Sequence, residues 1–284
     1  PVALTRLLVR GERERPPTGR TMRSNPLASE MLTGLARPGK AQLHYLGMLL
    51  VQVVVVLFWW PRDELAQLLE AQNGPSTLAG AMMAIGITTA YHAIRAGAEE
   101  LVLPGQHGLR DWALATSLGA GRILRGYLLG HLVYDLYLLA LSSPLVLMAF
   151  TVSGGEWPAL AWCTVATLVQ ALFYTLCGAI TLLALAKHRG AAHAAVRTIV
   201  IVMYVVVGLA APFLSHVMLT SRLLGEESDT QPAFAGVSDP VAFLAAYGPS
   251  SVLAAAILYW LLLRARRGAA GRHAEAGAGE AAVP

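Results

Sequence analysis

The chain has 284 residues, 56% of them hydrophobic and only 13% charged, with a mean hydropathy of +0.55 and a formal net charge of +4. A soluble domain carries about 25% charged residues, so this balance excludes an ordinary globular enzyme and points to an all-α polytopic membrane protein. The positive charge is dispersed arginine with no soluble domain to present it. That excludes a nucleic-acid binder, and attraction to anionic lipid accounts for the excess.

Residues 1–24 are arginine-rich, contain Pro16, Pro17 and Gly19, and show no apolar periodicity. They predict a flexible cytoplasmic tail and lack the apolar core of a secretory signal. Asn25 then Pro26 is a helix start, a capping side chain followed by proline at the first helical position. Leu27, Met31, Leu32 and Leu35 share one face behind it, which predicts an amphipathic interfacial helix over 25–40.

Six apolar runs follow at about 42–61, 77–96, 123–150, 158–186, 194–217 and 242–263, each meeting the roughly 20 residues needed to cross a hydrocarbon core. Of the 21 basic residues, only Arg62 and Arg222 fall on the side opposite the others. Cationic loops resist translocation, so both termini, including a disordered tail over 265–284, are expected in the cytoplasm. The connections at 62–76, 151–157 and 218–241 are then external; the last carries Glu226, Glu227, Asp229 and Asp239.

The cytoplasmic connection at 97–122 is longer than a simple crossing needs. Pro104 and Gly105 break it, and a short amphipathic stretch follows. Leu109, Trp112, Ala113 and Thr116 fall on one side of it, Arg110, Asp111, Leu114 and Ser117 elsewhere, before Gly119 and Gly121 end it. The stretch reads as a docking element or as a lipid anchor.

Chemistry-bearing residues are sparse. His131 and Asp135 lie at i, i+4 inside the third apolar run. An ionised carboxylate there costs at least about 2.5–3.5 kcal/mol, so it should face protein or water. It could handle protons or substrate, or lock helices through Tyr134 or Tyr137. Cys163 and Cys177 are 14 residues apart on one predicted helix, about 21 Å, too far for a disulfide. His188 and His193 have poor ligand spacing, and His44, His92, His107 and His216 scatter near span ends, so no metal site is expected. No nucleophile elbow, phosphate-cradling loop or zinc motif occurs, hence no catalytic residues. Gly126 and Gly130 fit a small-xxx-small helix contact.

The order of features runs as follows: Asn25-Pro26-Leu27 opening an amphipathic helix, a charged loop between spans two and three, Leu114-Ala115-Thr116-Ser117-Leu118, and Arg122-Ile123-Leu124-Arg125-Gly126. Ser143-Pro144-Leu145, Gly154-Gly155 and Asp239-Pro240 complete it. Over residues 25–264 this is similar to the permease subunits of ABC-2 type (exporter-type) ATP-binding cassette transporters. Glu99-Glu100 and Gly108-Leu109-Arg110-Asp111 stand where that family often has Glu-Arg-Glu and Gly-Thr runs. The resemblance implies a six-span half-transporter of the inner or plasma membrane that pairs with a second permease copy or a paralogue. The 97–122 helix would be a coupling helix docking a separate ATPase subunit through Glu99, Glu100, Leu109, Arg110, Asp111, Trp112 and Thr116. ATP and magnesium would be bound by that partner, with no cofactor in this chain, and spans two and five would line the pathway. Two other classes fit the residues: a cofactor-free membrane subunit of a larger energy-converting or assembly complex, and an intramembrane enzyme or secondary carrier around His131 and Asp135.

Overall fold

The computed structural model describes residues 25–35, 40–60, 76–99, 108–153, 156–184 and 238–280, with short helical pieces between 194 and 224. Seven helices carry the architecture: α1 (Pro26–Leu35), α2 (Lys40–Phe58), α3 (Ser76–Gly97), α4 (Leu109–Ala115), α5 (Ala120–Ser153), α6 (Trp157–Ala184) and α7 (Asp239–Glu280). No strand occurs among the described residues.

Four of these helices, α3, α5, α6 and α7, are long and apolar enough to cross a membrane. The first expected span is a helix as well, although its apolar stretch, Tyr45–Phe58, is shorter. The fifth, 194–217, falls mostly outside the described residues, as do Glu100 and the greater part of the external loops. On α2, Leu46, Leu50, Val54, Leu57 and Phe58 are each more than half exposed. An apolar stripe of this kind suits contact with lipid tails rather than water.

Local chemistry explains the helix ends. The Asn25 Oδ1 accepts the Leu27 N–H at 3.2 Å, so the expected N-cap is formed. The same side chain donates from Nδ2 to the Arg122 carbonyl at 2.7 Å and ties α1 to the start of α5. At the opposite end, the Ser153 hydroxyl accepts the Leu78 N–H at 3.1 Å, and the Thr77 hydroxyl donates to the Trp59 carbonyl at 2.8 Å. Within α5, Pro144 lacks the N–H that would bond the Ala140 carbonyl. The Ser143 hydroxyl donates to that carbonyl instead, at 2.7 Å, and the helix continues to Ser153.

Gly126 and Gly130 do form a helix contact, but with α1 rather than with another span. A Cβ at Gly126 would stand 2.5 Å from the Asn25 Oδ1, and one at Gly130 would stand 3.0 Å from the Met31 sulfur. The apolar face of α1 therefore packs on protein, with Leu27 and Ala28 buried.

The expected disordered tail needs correction. α7 continues without a break through Glu280. Alanines at 269, 270, 274, 276 and 278 favour that helix, while Gly268, Gly271, Gly277 and Gly279 oppose it.

Candidate functional site

The 97–122 connection contains one helix, α4, and the structure braces it from both ends. After Gly97 the chain leaves α3 through Glu99, a non-glycine residue with a φ of 56°. This left-handed turn ends α3 and brings the Glu99 carboxylate to the first turn of α4, where it accepts the Leu109 N–H. The Asp111 carboxylate accepts the Gly108 N–H at 3.2 Å. Two of the N–H groups that a helix start leaves unpaired are thus satisfied.

At the other end, the Thr116 hydroxyl donates to the Trp112 carbonyl at 2.6 Å, and Thr116 itself is extended. The helix stops at Ala115, four residues before Gly119, and Gly121 lies inside the first turn of α5. The glycines are therefore not what ends it. The carbonyls of the link are held instead by Arg266 of α7, which donates to Leu118 and, at 3.3 Å, to Thr116.

The two sides of α4 divide differently from the docking expectation. Leu109 and Ala113 are buried in a cluster with Leu27, Ile123, Tyr127, Leu176, Leu258 and Leu262. Trp112 is half-buried against the same cluster, and Thr116 is half-buried. Glu99 is half-buried, its carboxylate turned to the α4 backbone. Asp111, Leu114 and Ser117 are exposed, and Arg110 is half-exposed. The apolar side of α4 is thus spent on its own chain, and the outward side is Asp111 and Leu114.

Inside the span region, His131 and Asp135 are both buried on one face of α5, 6% and 3% exposed. The Tyr127 and His131 rings meet at 4.5 Å, nearly perpendicular, and together with Asp135 they form a column at four-residue spacing. The Tyr127 hydroxyl and the His131 Nε2 have no hydrogen-bond partner among the described residues. Tyr134 turns the other way, its ring 4.0 Å from that of His92 on α3 and 5.4 Å from that of Tyr45 on α2. No cluster of three or more metal-ligating side chains occurs among the described residues, and both cysteines are free.

Several contributors escaped the sequence reading. The Gln52 amide donates to the Thr88 hydroxyl at 3.0 Å and accepts from the Ser142 hydroxyl at 2.7 Å, joining α2, α3 and α5. The Gln170 amide donates to the Tyr174 and Tyr247 hydroxyls at 3.1 and 3.3 Å, joining α6 and α7. Each glutamine stands alone in an apolar run, and such a residue in a span is a signal for an interhelical bond. Arg266 had been counted only as topogenic charge.

Together these features define a helical, membrane-inserted protein with a braced helix at one end of its spans. No known family's model, no characterised protein and no solved structure matches the chain significantly.

Proposed function

We propose that the chain is the membrane-spanning permease subunit of an ATP-driven ABC-2 type transporter, working as an exporter. Its substrate would move between the helices of a permease pair, powered by separate ATPase subunits that bind ATP and magnesium. The observation that carries this reading is α4, a seven-residue helix tied to α3 by Glu99 and to α7 by Arg266, with Asp111 and Leu114 outward. A helix that only anchored to lipid would gain most by facing its apolar side to the bilayer. Here that side is buried in the protein, and a mixed polar and apolar surface is left free. The arginine distribution supports a cytoplasmic position for this end, at a cell (inner or plasma) membrane, where ATP is available. On α3, Ile87 and Tyr91 remain exposed one turn apart, a face available to a pathway.

The test is copurification from crosslinked cells in mild detergent. A vanadate-sensitive ATPase should accompany the wild-type chain and be released by the double substitution Asp111→Arg with Leu114→Asp. A wild-type chain isolated without any ATPase would defeat the proposal.

A second reading has its own observation, the polar atoms of Tyr127 and His131 that have no partner among the described residues, on the same face as buried Asp135. A carrier working through that column would transport in liposomes without ATP, and the permease would not.

A further inference from the structure

A docking helix is useful only if its displacement reaches the spans. From α4 the covalent route leads through residues 116–119 to α5. That link is a poor transmitter: Thr116 is extended, Ser117 and Gly119 are exposed, and regular helix resumes only at Ala120. A four-residue non-helical segment with a glycine at its end absorbs motion unless something holds it, and among the described residues only the Gly119 carbonyl is tied to α5, by the Arg122 and Ile123 N–H groups.

What holds it comes from the last span. Leu258, Leu262 and Arg266 recur every four residues on α7 and so share one face. The two leucines are fully buried in the cluster that contains Leu109 and Ala113 of α4. Arg266 continues the same face one turn further and grips the carbonyls of Thr116 and Leu118. The Thr116 and Leu118 carbonyls are two separate acceptors. A planar guanidinium offers donors in a fixed fork that reaches both, whereas an ammonium is a single flexible point charge.

We propose that Arg266 is a positioning residue that makes α7 move with α4, so that the last span receives the stroke of the docked ATPase. The proposal rests on the permease reading above and adds the route of coupling. α7 suits the role because it is one continuous helix from Asp239 to Glu280. A tilt imposed at Arg266 therefore appears at its far end. Pro249 lies between Arg266 and that end, and the helix passes it without a break.

The experiment uses the copurified complex of chain and ATPase. Spin labels are placed at Val241→Cys on α7 and Thr151→Cys on α5, both exposed and near the end of their helices remote from α4. Cys163 and Cys177 are replaced by alanine. Vanadate-trapped ATP should shift the label-to-label distance in the otherwise wild-type complex. Arg266→Ala should abolish the shift while ATP hydrolysis and partner association persist, and Arg266→Lys, which keeps the charge but not the fork, should not restore it. The proposal is overturned by an unchanged shift in Arg266→Ala, or by the absence of a shift in the parent. Loss of partner association along with the shift, or an equal loss of the shift in Leu109→Ala matched for melting temperature, also overturns it, because that marks a merely structural contact. If the wild-type chain brings down no ATPase, the permease reading itself fails and this route falls with it.

Discussion

Gly97 and Gly178 meet backbone to backbone where the end of α3 crosses α6. A Cβ at Gly97 would stand 2.6 Å from the Thr175 carbonyl oxygen, and one at Gly178 would stand 2.9 Å from the Gly97 Cα. In lipid no hydrophobic force drives helices together, so close approach through small residues supplies the packing energy. α3 is the most enclosed of the four long apolar helices, with 78% of its apolar window buried, and at this crossing its backbone touches that of α6.

Gly178→Val should therefore lower stability by about 1–3 kcal/mol, since the obstructing atoms are backbone and have no rotamer to change. Gly47→Ala on α2 is the matched control. Nothing lies within 4 Å of its new methyl group, so it should be neutral or gain up to about 0.5–1 kcal/mol from helix propensity. Thermal unfolding of both variants in one detergent decides the matter, and equal melting temperatures would contradict the crossing.

Two leucines of α4 should separate folding from docking. Leu109 is 3% exposed, and Leu109→Ala should cost about 2–5 kcal/mol as a core truncation. Leu114 is exposed, and Leu114→Asp should stay within about 0.5 kcal/mol of wild type. On the permease reading it is Leu114→Asp that releases the ATPase with the melting temperature unchanged. Should Leu109→Ala melt like wild type, the inward direction of α4 is wrong.

Asp135 invites a neutral replacement. A charge at this depth costs at least about 2.5–3.5 kcal/mol unless it is compensated, so Asp135→Asn should leave the fold as stable as before, or more so. A fall in melting temperature would show that the carboxylate is paired in the intact protein. Loss of transport at unchanged stability would move the column with Tyr127 and His131 from architecture to mechanism.

Orientation is open to chemical labelling. Single cysteines at Ser76 and Ser228 should react with an impermeant maleimide added to intact cells, and one at Ser117 should not. Ser117 is exposed in the fold, so only the membrane would shield it. Its labelling from outside would reverse the topology.

The sequence carried the elements well and their partners poorly. Asn25 and Pro26 predict where α1 begins because capping is local chemistry, and the helix is there. The spacing of Gly126 and Gly130 reveals a thin surface on α5, but not that α1 fills it. For α4, amphipathicity identifies a side to be buried. Seven residues cannot say whether their own spans or a foreign subunit buries it, since either satisfies the same apolar atoms. Arg266 was hidden for a different reason. Its charge already had an explanation in the positive-inside bias, and a bond across 148 residues leaves no local pattern. The buried glutamines were legible in principle, as isolated amides in apolar runs.

The unbroken length of α7 has a spatial consequence. At 1.5 Å per residue, the stretch from Arg264 to Glu280 makes a rod of roughly 25 Å rising beyond the last apolar turn. It stands beside α4, because Arg266 at its base holds the α4 link. On the permease reading, a subunit seated on Asp111 and Leu114 is expected to meet this rod as well, since both start from the same link.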